Sequence, residues 1–197
     1  SASNEHQLET NSNSPAVITG QLHASISEDK SDEISGKLGV TDQDSNESGF
    51  VEVSEQPSDY GIYSIDHVGN WSYQVVDNDT QKLAENESLE DNLQIKTIDG
   101  TATILTITIK GENDPAHFSS GANIDSISIG SDQELPVELK IDVSDVDSNQ
   151  DVVSAASGTK GLYGDFSIAE AGNWTYQLDI TNIDVVNLSK PNTLVDE

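Results

Sequence analysis

Two pairs of aspartates, each separated by one residue, stand out in this 197-residue chain: Asp42 and Asp44 in VTDQD, then Asp145 and Asp147 in VSDVD. Other acids and amides lie near them. Glu28 and Asp29 precede the first pair, Asp132 precedes the second with Glu134 close by, and Glu112, Asn113 and Asp114 stand together in GENDPA. Clustered carboxylate and amide oxygens suit a hard cation, and calcium takes about six to eight such ligands. In a bent loop, two aspartates spaced by one residue can both face an ion. On a straight strand they would repel across about 7 Å with little to offset it. A solvated turn is the competing reading, because 36 of the residues are Asp or Glu and DNDT or DVDSNQD show how easily such strings arise. The matching placement of the two pairs favours calcium at a junction between domains. Its ligands would come from Glu28-Asp29 or Asp132, an Asp-x-Asp turn, and Glu112-Asn113-Asp114. DQDSNESG opens like a helix-flanked calcium loop, but it lacks the later glutamate and lies between strand-like segments.

Other chemistries find little footing. There is no cysteine, hence no thiol nucleophile or soft-metal site. The histidines, His6, His23, His67 and His117, are scattered. HExxH, GxSxG, GxGxxG and a phosphate loop are absent. Carboxylate pairs alone do not make a glycosidase, so the chain is not expected to be an enzyme. Eight basic residues against 36 acidic ones give a formal net charge of -28. That excludes nucleic acid, whose phosphates need basic partners, and disfavours anionic membranes. No apolar run approaches the length of about 18 residues that reads as a membrane span, so no membrane insertion is expected.

The acidic pairs must be positioned by β-structure. Leu22, Ala24 and Ile26 alternate with polar residues, as do Ile34, Gly36, Leu38 and Val40. Trp71, Tyr73 and Val75 share a face, as do Leu93, Ile95 and Thr97, then Leu105, Ile107 and Ile109. A two-residue period marks strands with one buried face. The segment TQKLAENESLEDN is the one stretch that tempts a helix, and it is expected to form a loop or a single turn. Hydrophobic residues are 34% of the chain, low but enough for small β cores. Strands this short and frequent predict an all-β fold, a β-sandwich with Greek-key connections.

The pattern is written twice. DYGIYSIDHVGNWSYQ, residues 59–74, lies over LYGDFSIAEAGNWTYQ, residues 162–177, at an offset of 103. The Asp-x-Asp pairs share that offset, so Asp42 to Trp71 and Asp145 to Trp174 are both 29 residues apart. Two distant features with one offset indicate tandem domains. Gly69-Asn70 and Gly172-Asn173 suit tight hairpin turns, where positive φ is tolerated. Each tryptophan then reads as core of its own domain, with sugar stacking as the rival role. The expected division is a polar linker or tail over 1–16, a first β-sandwich repeat over 17–114, and a second repeat over 115–197. LSKPNTLVDE corresponds to LAENESLED with a small insertion. The second repeat is therefore expected to be divergent, C-terminally truncated or completed by another chain.

ITGQLHASISED, LGVTDQDSNESGF, YGIYSIDHVGNWSYQVVDND and ESLEDNLQIKTIDGTATILTITIKGENDPA together resemble the VCBS-type repeat, over roughly Val17 to Ala116. The second repeat matches through Asp132, residues 143–147 and 162–176, then departs. Such repeats are similar to bacterial immunoglobulin-like and cadherin-like modules, found in tandem in large RTX-type surface adhesins of Gram-negative bacteria. The resemblance implies tandem immunoglobulin-like or cadherin-like sandwiches, located extracellularly on the bacterial surface or secreted. It implies a structural extender for cell adhesion or biofilm formation, with neighbouring tandem domains as partners and Ca2+ as the stabilising ion. By position, Glu28, Asp29, Asp42, Asp44, Glu112, Asn113 and Asp114 become candidate ligands, with Asp132, Asp145 and Asp147 in the second repeat. The alternative is an adhesive module that recognises a carbohydrate or a surface protein.

Overall fold

The computed structural model describes residues 12–30, 32–119, 136–189 and 192–196. The chain forms two compact units, Ser1–Asn113 and Asp114–Glu197. In both, the regular secondary structure of the described residues is almost wholly β-strand. Among the described residues, no helix is long and apolar enough to cross a membrane.

Unit 1 has eight strands among its described residues: β1 Val17–Gly20, β2 His23–Ser27, β3 Ile34–Thr41, β4 Val53–Pro57, β5 Gly61–Ile65, β6 Asn70–Val75, β7 Ser88–Lys96 and β8 Ala102–Lys110. Five make one sheet in the order β1-β3-β6-β5-β4, and three make the other in the order β2-β8-β7. β4, β5 and β6 follow one another as antiparallel neighbours, and β3 lies beside β6. That arrangement is a Greek key. β2 runs parallel to β8. Segment 49–51 ties the two sheets: Phe50 bridges Thr97, Val51 N–H donates to the Lys96 carbonyl and Ile98 N–H to that of Gly49, both at 2.9 Å. Of the helix-tempting segment, residues 80–82 close a single 3-10 turn over Asn78–Lys82 as expected, but its last five residues, 88–92, are already part of strand β7.

The alternating apolar residues meet between these sheets. Tyr63, Ile65, Trp71 and Tyr73 come from one sheet, and Leu93, Ile95, Leu105, Ile107 and Ile109 from the other. Trp71 is 6% exposed and Tyr73 0%. Trp71 fits because Gly36 lies opposite it on β3. A Cβ at Gly36 would stand 2.5 Å from the indole, so the ring occupies the space a side chain would take. One buried carboxylate pins the core. Asp91 of β7 accepts from the Tyr73 hydroxyl at 2.8 Å, the Ser58 hydroxyl at 2.7 Å and the Tyr60 N–H at 3.0 Å. Burial and this anionic neighbour push the Tyr73 phenol far above its ordinary pKa.

Unit 2 repeats the larger sheet. Its strands are β9 His117–Ser119, β10 Val137–Lys140, β11 Asp142–Ser144, β12 Ala156–Lys160, β13 Gly164–Ile168 and β14 Asn173–Leu178. β10, β14, β13 and β12 adjoin in that order, and β11 pairs with β9. At the 103 offset, β10 and β11 are the two halves of β3, interrupted at Ile141. The Ile141 N–H bonds the Gly172 carbonyl as the Leu38 N–H bonds that of Gly69, each at 2.9 Å. Both hairpin glycines have positive φ, 88° and 81°. In both, a Cβ would overlap a backbone carbonyl of the facing strand, Leu38 or Ile141, so glycine is required twice for one reason. A short helix, α1 over Ile183–Val186, takes the place of the 3-10 turn. Among the described residues, unit 2 has no counterpart of the three-stranded sheet.

Candidate metal centre

Asp42 and Asp44 lie in the loop that leaves β3. The Asp44 N–H donates to Asp42 Oδ1 at 2.7 Å, and the Ser48 hydroxyl accepts from the Asp42 N–H at 3.0 Å. Asn46 then turns the chain back with a left-handed φ of 69°, a conformation asparagine adopts more readily than most residues. This reversal brings in Glu47. Carboxylate oxygens of Asp42, Asp44 and Glu47 all lie within 4.8 Å of one another. Asp42 Oδ2 and Glu47 Oε2 are shielded from solvent and have no hydrogen-bond partner. Ser14 of the incoming segment donates its N–H to Asp44 Oδ2 at 2.7 Å.

Asp99, in the turn between β7 and β8, lies at this same end of unit 1. It accepts from the Ala16 N–H at 3.0 Å, from the Thr101 N–H at 3.0 Å and hydroxyl at 2.7 Å, and from the Thr97 hydroxyl. Hydrogen bonds from Thr97 and then Thr101 hold its carboxyl well below the ordinary carboxylate range. Glu47 moves the other way, raised by desolvation and then by the charges of Asp42, Asp44 and Asp99. The ion pairs among the described residues, Lys82–Asp79, Lys140–Asp142 and Lys160–Asp165, involve none of these carboxylates. Like charges this close repel one another, and the more so where solvent is shut out. A divalent cation among these oxygens would reverse the sign of that interaction, and hard oxygen donors are what calcium selects.

Glu28 and Glu112 belong to the opposite end of unit 1. Glu28 follows β2, is 4% exposed, and accepts from the Glu112 N–H at 2.8 Å. Its own N–H bonds the Lys110 carbonyl at 3.0 Å, at the far end of β8. Asp99 precedes β8 and Glu112 follows it. A nine-residue strand separates them, about 27 Å at the usual rise. Asp42 and Asp44 therefore share no site with Glu28 and Glu112 of their own unit. Asp29 is exposed in the turn after Glu28. Glu112 and Asn113 are also exposed, and with Glu85, Glu87 and Lys110 they line an open groove of about 710 Å³.

In unit 2 the aspartate loop is built again. The Asp147 N–H donates to Asp145 Oδ1 at 2.9 Å, and Asn149 repeats the left-handed turn with φ 65°. Asp114 donates its N–H to Asp147 Oδ2 at 3.0 Å, as Ser14 does to Asp44. Asp147 is 1% exposed, and its Oδ1 is buried without a hydrogen-bond partner. Gln150 stands where unit 1 has Glu47, and its amide donates to Asp147 Oδ2 at 3.2 Å. Asp132 lies outside the described residues.

The sequence pattern points to both aspartate pairs, and the structure adds Glu47 and Asp99 to the carboxylates near Asp42 and Asp44. Asn46 was the available signal for Glu47, since a left-handed turn redirects the residue after it. Asp99 was legible only as part of an Asp-Gly-Thr turn.

No protein-family model matches the chain, and no curated protein matches it. Similar solved structures include a protocadherin gammaB7 EC3-6 cis-dimer, at 14% identity and a TM-score of 0.47 over 84% of this chain and 40% of that one. Protocadherin gamma B2 extracellular cadherin domains 1-5 match at 18% identity and a TM-score of 0.46, over 88% of this chain and 34% of that one. The titin I-band fragment I67-I69 matches at 11% identity and a TM-score of 0.32, over 86% of this chain and 58% of that one. This chain spans less than half the length of either protocadherin chain.

Proposed function

We propose that this chain is a calcium-stabilised spacer of a tandem β-sandwich array, an extender module of a large bacterial cell-surface adhesin. One observation carries the reading: the same carboxylate loop is built twice, and each time a backbone N–H of the preceding segment is tied to the second aspartate. A cation bound at such a loop holds the incoming segment as well as the loop, and so stiffens the chain where it enters each unit. The proposed ligands are Asp42, Asp44, Glu47 and Asp99 at one end of unit 1, Glu28, Glu112 and Asn113 at the other, and Asp114, Asp145 and Asp147 in unit 2. Asp29 and Asp132 remain candidates by position alone. The resemblance of the first repeat to VCBS-type modules supports the adhesin setting, as does the cysteine-free, strongly acidic composition.

Calorimetry in excess calcium and in excess chelator tests this. A site that binds only the folded state adds about 2.7 kcal/mol when free calcium is a hundred times the Kd. We expect the melting temperature to rise with calcium, and part of the rise to vanish in Asp42→Asn/Asp44→Asn. Identical melting curves with and without chelator would remove the calcium role.

A further inference from the structure

We propose that Asn86 is an N-glycosylation site, modified by a transferase that takes its sugar from a diphosphate carrier. The chain contains six Asn-x-Ser/Thr tripeptides with no proline in the middle, beginning at Asn46, Asn70, Asn78, Asn86, Asn173 and Asn187. That pattern marks an acceptor because the transferase must reach both the carboxamide and the hydroxyl two residues on. The pattern alone selects none of the six. Four lie in unit 1, and their surroundings separate them.

Three of the four are engaged. Asn70 begins β6, which lies between β3 and β5. Its Nδ2 donates to Asp66 Oδ2 at 2.6 Å, and its Oδ1 accepts from Lys37 Nζ at 3.3 Å. Thr80, two residues after Asn78, is 0% exposed and donates its hydroxyl to the Asp77 carbonyl at 2.7 Å. Ser48, two residues after Asn46, accepts from the Asp42 N–H within the carboxylate loop. Asn86-Glu87-Ser88 differs on each count. It joins the 3-10 turn to β7. Asn86 and Ser88 are both exposed, and neither side chain has a hydrogen-bond partner among the described residues. A tight turn holds them out: the Glu87 N–H bonds the Ala84 carbonyl at 2.9 Å, and the Glu87 carboxylate accepts from the Ala84 N–H at 3.1 Å. Asn86 takes a φ of 71° there, which asparagine tolerates. The open groove of about 710 Å³ is lined by both Asn86 and Ser88 and leaves room for a sugar ring.

In the transfer, Asn86 Nδ2 bonds to the anomeric carbon of a sugar carried on a nucleoside or lipid diphosphate. The carbon–oxygen bond to the diphosphate breaks, its electron pair leaves with the diphosphate, and the amide gives up one proton. The place has a use. β7 begins at Ser88 and is an outer strand of its sheet, in the order β2-β8-β7. A hydrated glycan where that strand starts opposes pairing of its open edge with another sheet.

The test offers the folded full chain to two transferases. One is a soluble N-glycosyltransferase with UDP-glucose; the other is a membrane oligosaccharyltransferase with lipid-linked oligosaccharide. A standard acceptor peptide confirms that both enzymes are active, and intact mass with peptide mapping reads the product. We expect a gain of one hexose or one oligosaccharide at Asn86, and the arm that gives it identifies the carrier. Asn86→Asp and Ser88→Ala should each lose that gain while keeping the wild-type melting curve. Asn70 and Asn78 should stay bare. No gain at Asn86 in either arm would overturn the proposal. So would equal occupancy of Asn70 or Asn78, because the fold would then select nothing.

Discussion

The two units spell the same hairpin and the same aspartate loop, yet they bury them differently. Opposite Trp71 stands Gly36; opposite Trp174 stands Leu139. In unit 1 the indole settles over a bare backbone and is covered by the second sheet. In unit 2 a leucine stands at that register position, and the indole meets Phe166. A similar exchange alters the loop, with Glu47 in one unit and Gln150 in the other. The first makes a cluster of three carboxylates; the second supplies a neutral amide that donates to its aspartate. A repeated phrase therefore preserves turns and strand register, while the residue facing it decides packing and charge.

The largest expected effect separates the tryptophans. Trp71→Ala should destabilise unit 1 by about 3–5 kcal/mol, the usual cost of emptying a core aromatic site. Trp174→Ala should cost clearly less, because its ring is only part-buried. Urea unfolding followed by tyrosine fluorescence compares them, and equal costs would erase the contrast. Next comes the glycine. Gly36→Leu installs the unit 2 pairing in unit 1 and should cost about 1–3 kcal/mol by overpacking. Leu139→Gly is the reciprocal change, and a melting temperature unaltered by Gly36→Leu would deny the indole its need for bare backbone.

The smallest effect is a pH dependence. In chelator, Glu47 has a folded-state pKa above its ordinary 4.5. The folded state then binds more protons than the unfolded one in the window just above 4.5, so stability falls as pH rises through it. Asp99 behaves oppositely: its depressed pKa gives a contribution present above the ordinary value of 3.8 and lost as pH falls. Glu47→Gln should abolish the decline above 4.5 and weaken calcium binding toward that of the unit 2 loop. Melting temperatures in chelator from about pH 4 to about pH 7, a range that runs upward from the ordinary carboxylate values, with calcium titrations of both proteins, measure the two effects. A decline that persists in Glu47→Gln belongs to another group.

Much of this was legible in the residues. The 103 offset located both hairpins, and the two-residue period placed Trp71, Tyr73, Leu93, Ile95, Leu105, Ile107 and Ile109 on buried faces. The aspartate pairs were found because they share that offset. Their surroundings were not, because chain reversals bring together side chains that are far apart in sequence. Asp42 and Glu28 look close in sequence, but they flank β3 and β2, strands that deliver them to opposite ends of unit 1. Asp99 and Asp42 are distant in sequence, and strand direction returns them to one end. Which residue faces each tryptophan depends on strand register, which alternation alone leaves open.

The parallel pairing of β2 with β8 has a mechanical meaning. His23 to Ser27 lie beside Thr106 to Lys110 in five consecutive pairs. The chain enters unit 1 at the Asp99 end and leaves it at the Glu112 end. Tension along the chain therefore slides β2 and β8 past each other and does not peel them apart. All five pairs are loaded together, so unit 1 meets an axial pull as a lap joint under shear.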